Sequence, residues 1–372
     1  MHEEMRLAKR DEYQELEAFL ERAFGHSRGF YARNFPNRRA KAKNWSLIIR
    51  KQSGIIGNVT TYPLDIKIGP SVVTVGGIGS VGVDPGSRGQ GYMGRLMERS
   101  IEIMAEKQIP LSVLWGDRQR YNHLGYETCG HKYRLEFTRR SLERAGIRPM
   151  EVEEADKQDP ALAEKLKKLH ETLDYRVMRG SIELLLARPQ VRVFTGGESY
   201  LISINETRGD LIIQEIVSPE GKEAELILGA MEWTNGQKAS LEMEAVASPA
   251  HARLAAASSS WTIGPQGMFR IINWPKLCEA LSPYFAQKAK DLPPFEIAIG
   301  CTWKENRQMA TLVWDGSKFL TVPGRETEKY IELEGPVLAA TLFGGPCAYN
   351  NSLGLFEKLL PVPIHIPNID HI

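Results

Sequence analysis

The sequence predicts an α+β chain of more than one domain, and three observations carry that expectation. The chain has 372 residues, more than one ordinary hydrophobic core organises. Short apolar stretches that suit strands alternate with stretches of helical apolar spacing along its length. The segment Ile78 to Glu106 switches from one pattern to the other across a glycine-rich turn, DPGSRGQGYMG. Hydrophobic content of 42% and charged content of 25% are ordinary for a globular chain. The formal net charge of +1 offers no global attraction to nucleic acid or to an anionic membrane.

Several classes are set aside early. No apolar run approaches the length of a membrane-spanning helix. The N-terminal MHEEMRLAKRDEYQ lacks the apolar core of a secretory signal, so a cytoplasmic location is expected. Cys129, Cys278, Cys301 and Cys347 are widely spaced with no CxxC pair. They are expected as reduced thiols rather than disulfides or a zinc site, and no metal is expected.

In chain order, Asp11 can cap a helix, EYQELEAFLERAFG, with Tyr13, Leu16, Phe19, Leu20 and Phe24 on one face. Residues 31–43, YARNFPNRRAKAK, carry five cations. They suit a solvated surface segment; a wall of an acceptor pocket is the sharper alternative. WSLIIR and IIGNVTTYPLDIKI form a hairpin around KQSG. The next strand, VVTVGGIGSVGV, contains Gly76, Gly77, Gly79 and Gly82, which weaken a strand and suggest a close backbone or ligand approach. LSVLWG and HKYRLEFTR supply further strands and close the unit near residue 140.

Residues from about 150 to 267 read as a second α/β unit. Helices are expected over PALAEKLKKLHETLDYRV, SIELLLARP and KEAELILGAMEWTNG, and strands over VRVFTG, SYLISINE, LIIQEIVSP and SLEMEAVA. The order echoes the first unit, but no Arg-x-x-Gly turn precedes the helix at 223–235, so this copy is expected to have no phosphate site. From Met268 come a strand and a helix in FRIINWPKLCEALSPYFAQKA, with Pro275 near the helix start. Strands in FEIAIGCTW, MATLVWDG, KFLTVPG and KYIELEG follow, then a short helix in GPVLAATLFGGP. The expected domains are residues 1–148, 149–266 and 267–372.

The turn at 84–94 carries the chemistry. A strand, a glycine turn and a helix place free N–H groups and partial positive charge at a helix start, where an anion is stabilised. Gly89-x-Gly91-x-x-Gly94 is formally a dinucleotide fingerprint, and Asp117 stands at a tolerable distance for a ribose-binding acid. However, five residues separate the strand from Gly89, whereas a dinucleotide fold runs its strand directly into the first glycine.

Arg88-Gly89-Gln90-Gly91 also fits an Arg/Gln-x-x-Gly pyrophosphate turn. VGVDPGSRGQGYMGRLM and, downstream, WGDRQRYNHLGYE resemble core elements of the GNAT superfamily of N-acetyltransferases. Met93 departs from the Gly or Ala frequent at its position, but the Eis-like (enhanced intracellular survival) group also has a bulky apolar residue there. The resemblance implies tandem GNAT-type folds, the second degenerate, followed by a sterol-carrier-like α+β domain. It implies acetyl-CoA as co-substrate, with Val81, Gly82 and Val83 along the pantetheine, Gly89, Gln90, Gly91, Tyr92, Met93 and Gly94 around the pyrophosphate, and Arg88 adding charge.

Tyr121 matches the tyrosine that protonates the departing thiolate, whereas Tyr126 is expected to pack. No Glu or Asp of the first unit stands out as a base. The resemblance assigns that role to the terminal carboxylate, at Ile372. The tail LLPVPIHIPNIDHI is apolar and stiffened by three prolines, so it is expected to be docked. His123 is the nearby alternative base; Ser258-Ser259-Ser260 is a polar stretch, and His365 and His371 lack metal-ligand spacing. The implied partner is a small-molecule amine, aminoglycoside- or polyamine-like, or a lysine. The group also forms oligomers built of trimers, which implies a homo-oligomer, a trimer or hexamer. A protein that holds acyl-CoA or a lipid without turnover is the alternative.

Overall fold

The computed structural model of the protein describes residues 3–34, 44–205, 209–349, 351 and 353–370. The chain forms two compact units, residues 1–130 with 267–362, and residues 131–266 with 363–371. The chain passes between the units after residues 130 and 266, and residues 267–362 fold with 1–130.

The first unit begins with β1 (Glu4–Leu7), α1 (Tyr13–Phe24), β2 (Trp45–Lys51), β3 (Gly54–Ile68) and β4 (Ser71–Val83). These strands pair antiparallel in the order β1-β2-β3-β4. α1 buries Leu16, Phe19 and Leu20, while Phe24 is exposed. Asp11 does not cap this helix; the start is organised by Glu12, which accepts the Lys9 N–H at 2.8 Å and pairs with Arg6 at 2.7 Å. Next come α2 (Tyr92–Glu106), β5 (Leu111–Leu114) and α3 (Arg118–Tyr121). α2 turns Leu96, Met97, Ile101 and Met104 into the core. Each such side chain contributes about 1.5–3 kcal/mol on burial, and the crossover brings β5 parallel to β4.

The second unit carries most of β6 (Glu127–Thr138), then α4 (Pro160–Glu171), β7 (Tyr175–Val177), β8 (Val191–Gly196), β9 (Ser199–Asn205) and β10 (Leu211–Val217). α5 (Glu223–Trp233), β11 (Lys238–Glu244) and α6 (Pro249–Ala257) follow. Its strands run in the order β6-β11-β10-β9-β8, and among these described strands only β10 and β11 are parallel. β10–α5–β11 thus repeats β4–α2–β5. The helix expected over 160–177 stops at Glu171; Asp159 and Pro160 start it, and the apolar Tyr175–Val177 is extended instead. SIELLLARP is helical only over Glu183–Leu186.

β12 (Ser260–Ile271) leads back into the first unit, where Met268–Ile271 pairs antiparallel with β5. α7 (Trp274–Ala289), with Asn273 as its cap, packs on β4 and on a second sheet. That sheet holds β13 (Phe295–Trp303), β14 (Asn306–Trp314), β15 (Phe319–Pro323) and β16 (Tyr330–Glu334), in the order β15-β14-β13-β16, with α8 (Gly335–Phe343) after it. Trp274, Tyr284, Phe285, Phe343 and Phe356 fill the interior.

The tail is docked as expected. Within the second unit Arg179 grips Asp370 through two hydrogen bonds of 3.0 and 2.7 Å, and Arg188 donates to the Ile369 carbonyl at 2.7 Å. Arg179 also pairs with Glu215, which the guanidinium and His170 hold well below the usual carboxylate range although burial alone would raise it. Ile372 and His371 lie outside the described residues, as do positions 35–43 of the basic segment. Because Arg179 keeps Glu215 as its second anion, Asp370→Ala should cost about 1.5–3 kcal/mol of stability by removing the charged hydrogen bonds that hold the tail. Denaturant unfolding checks this; a loss below about 1 kcal/mol would show that the tail is held by its apolar residues alone.

Candidate acyl-CoA site

The parallel pairing of β4 and β5 is short. It covers Val75↔Leu111, Gly76↔Ser112 and Gly77↔Val113, and beyond Gly77 the strands part. From Ile78 to Val83, β4 keeps only β3 as a neighbour, so its other edge presents N–H and C=O groups to whatever enters the gap. A β-bulge reinforces the parting. Ser80 and Val81 oppose the single Val59, and Ser80 adopts φ 53°, a left-handed conformation that a non-glycine residue holds only when its surroundings impose it. Asn58, fully buried, donates from Nδ2 to the Ser80 carbonyl at 2.8 Å and fixes the bulge.

A hydrogen-bonded chain pins the vertex. Tyr126 donates its hydroxyl to Ser112 Oγ at 2.8 Å, and Ser112 donates to the Gly76 carbonyl at 2.8 Å. Burial pushes the Tyr126 phenol up to about 12. Gly76 is required by packing: a Cβ there would collide with the Met104 sulfur of α2. Gly82 faces Leu20, Ala23 and Phe24 of α1. Among these strand glycines, the close approach at Gly76 is therefore to a side chain of α2, whereas a Cβ on Gly82 would make only ordinary contacts of 3.5–3.7 Å with α1.

The glycine turn follows directly. Asp84 ends the strand by accepting the Gly86 N–H at 3.1 Å. Gly89 and Gly91 hold φ +77° and +75°, and Gly91 caps α2. A Cβ on Gly89, Gly91 or Gly94 would meet nothing within 4 Å. Among the described residues, no amide from Gly89 to Gly94 donates to a protein acceptor outside a regular helix. Together with the helix dipole this is an open anion cradle.

The side chains of the turn divide by role. Gln90 is exposed. Arg88 is exposed and folds back to the carbonyls of Val83 and Ala23, at 3.4 and 3.3 Å. Tyr92 is buried; its hydroxyl donates to Glu3 at 2.9 Å, leaving its backbone N–H to the turn. Met93, Val81 and Val83 pack against the core of α2, so the bulk of Met93 is directed to the core.

Tyr121 ends α3 and is 7% exposed, in the same buried cluster as Ile78 of β4 and Leu114 of β5. Burial raises its phenol above the usual value, against the opposing pull of Arg120. Asp117 caps α3 by accepting the Gln119 N–H at 2.9 Å, which is its role in place of a ribose contact. Gly116 lies against the Tyr121 ring, where a Cβ would sit 2.5 Å away. His123 is exposed.

The turn carrying Tyr121 is braced on several sides. Glu127, 3% exposed, accepts two hydrogen bonds from Arg118 at 2.7 and 2.6 Å and one from Asn122 at 3.3 Å. Burial would raise this carboxyl, but Arg118 and the Thr128 N–H hold it below the usual range. It is thus a brace rather than a proton acceptor. Arg270 of β12 donates to the Leu124 carbonyl, and Trp303 of β13 covers Gly125. Neither brace was visible in the sequence, because each joins residues more than a hundred positions apart.

With this geometry in view, the comparisons have a clear meaning. Residues 4–129 match the family model of the acetyltransferase (GNAT) domain. No curated protein matches the chain. Among solved structures, similar ones include a conserved protein of unknown function from Enterococcus faecalis V583, described as a probable N-acyltransferase (15% identity, 92% of this chain and 90% of that one, TM-score 0.73). A GCN5-related N-acetyltransferase from Anabaena variabilis (19%, 92% and 90%, 0.69) and Eis1 from Mycobacterium abscessus (15%, 92% and 90%, 0.63) are similar over the same extent. These likenesses are of fold. Within residues 4–129 the parted strands, the open turn and Tyr121 are one contiguous region of β4, α2, β5 and α3.

Tyr126→Phe removes the donor at the vertex and should cost about 0.5–1.5 kcal/mol, with weaker acetyl-CoA binding. Thermal unfolding and titration calorimetry check both; unchanged binding would show that the vertex does not shape the gap.

Proposed function

We propose that the protein is an N-acetyltransferase that moves an acetyl group from acetyl-CoA directly to a primary amine of a small molecule or a lysine. The observation that carries this is the parting of β4 and β5 beside an amide-lined turn. A pantetheine arm is an extended chain of amides, and the edge of β4 that β5 leaves beyond Gly77 offers it strand-like hydrogen bonds. The amides of Gly89–Gly94 suit the pyrophosphate, and Arg88 is free to swing from its two long contacts to a phosphate oxygen.

The chemistry follows from placement. Amine nitrogen attacks the thioester carbonyl, the C–N bond forms and the C–S bond breaks. β4 amides stabilise the carbonyl oxygen as it gains charge. The attacking nitrogen sheds its extra proton to solvent, Tyr121 gives its phenolic proton to the departing thiolate, and the phenol is reprotonated from solvent, so the amide and the CoA thiol form with no net change in protons. Its raised pKa keeps it protonated at neutral pH. Holding acyl donor and amine together in one slot contributes much of the rate.

The assay is CoA release from acetyl-CoA with a panel of aminoglycosides, polyamines and lysine peptides. Release that depends on an amine is expected; tight CoA binding with no release for any amine would contradict the proposal. Tyr121→Phe should lower kcat by about 10²–10³ with little change in KM for acetyl-CoA. Because the acid form is the active one and burial raises its pKa, the alkaline fall in kcat due to Tyr121 should lie above pH ~10. An unchanged kcat in the variant would remove Tyr121 as the acid.

A further inference from the structure

The second unit contains a parting of strands like the first. β10 and β11 pair over Leu211↔Ala239, Ile212↔Ser240 and Ile213↔Leu241 and then separate. A cavity of about 290 Å³ lies there, lined by Gln214–Val217 of β10 and Leu241–Glu244 of β11. At ~30 Å³ per heavy atom this is room for about ten non-hydrogen atoms. It does not suit CoA. Ser218 Oγ already accepts the Lys222 N–H at 2.9 Å, and Glu223 and Glu225 stand in the first turn of α5, where they repel phosphate.

The charges around this cavity are unequal. Four carboxylates line it, and each has a basic partner, Arg179 being shared with Asp370. Glu215 pairs with Arg179 at 2.8 Å, Glu223 with Arg253 at 3.5 Å, Glu242 with Lys132 at 2.7 Å and Glu244 with His251 at 3.3 Å. Arg176 also lines it and is 9% exposed. Its hydrogen bond goes to the Leu173 carbonyl; Glu171 and Asp174 are near enough to favour its charged form, but among the described residues neither forms an ion pair with it. A buried guanidinium with most of its donors unused is costly unless an anion joins it.

A second group points the same way. His365, 5% exposed, places Nδ1 3.2 Å from Gln266 Oε1, whose amide nitrogen donates to the Ile366 carbonyl. Nδ1 must then be the donor, and burial keeps the ring neutral. His365 lines the cavity, and with Nδ1 engaged its Nε2 is the ring nitrogen left to accept.

We propose that this cavity binds a small carboxylic acid, with its carboxylate on Arg176, a donor group on His365 Nε2 and a short aliphatic chain against Leu241, Met243 and Leu254. The ligand is a single acid of roughly amino-acid size, separate from acetyl-CoA and its acceptor.

The test uses the full chain with butyrate, pentanoate and L-leucine, each beside its carboxamide. The acids at about 10 mM should raise Tm by about 2–5 °C and bind in calorimetry, and the amides should do neither. Arg176→Met should weaken acid binding at least tenfold while leaving acetyl-CoA binding unchanged, and His365→Phe should weaken L-leucine more than butyrate. Failure of all three acids to bind, equal binding of acids and amides, or full affinity in a folded Arg176→Met would overturn the proposal.

Discussion

Everything in the first unit follows from where two parallel strands stop pairing. A parallel pair loses its hydrogen bonds on both edges when it opens, and those edges are costly unless something covers them. The chain invests heavily to hold β4 and β5 open at that point. Met104 of α2 closes onto Gly76 and leaves no room for a side chain. Ser112 and Tyr126 tie the vertex, and a left-handed Ser80 turns the far half of β4 away. Strain of this kind is kept only where the surroundings over-determine it.

The region gains its second half from elements late in the chain. Tyr121 stands on a four-residue helix, too short to be stable by itself. Asp117, the Arg118–Glu127 pair, Arg270 and Trp303 give it a fixed position. Residues 267–362 thereby shape the site without contributing its central groups. The second unit keeps the strand geometry but replaces the glycine turn with Ser218, Lys222 and two glutamates, so the same opening holds a different chemistry.

Much of this was legible in the sequence. Strand, turn and helix at 78–106 were set by local pattern, and the missing side chains of Gly89 and Gly91 marked the turn as open to an anion. The second copy was legible through its element order. Asp11 was misread as a cap because Glu12, one residue on, has both a backbone donor and Arg6 within reach. The helix over 160–177 was overextended because apolar spacing continues past Glu171 while the backbone does not. The strand glycines suggested a close backbone or ligand approach, and at Gly76 the space is taken by Met104 of α2. Arg176, Glu127 and Trp303 carried no local signal; their roles exist only through partners brought together by folding or, for Arg176, through the absence of one.

Amide hydrogen exchange with and without acetyl-CoA tests the central claim most directly. The strand opening predicts protection on binding at Ile78–Val83 and Gly89–Gly94, with no change at Gln214–Val217. Protection confined to other segments, or none in those two at saturating acetyl-CoA, would contradict it.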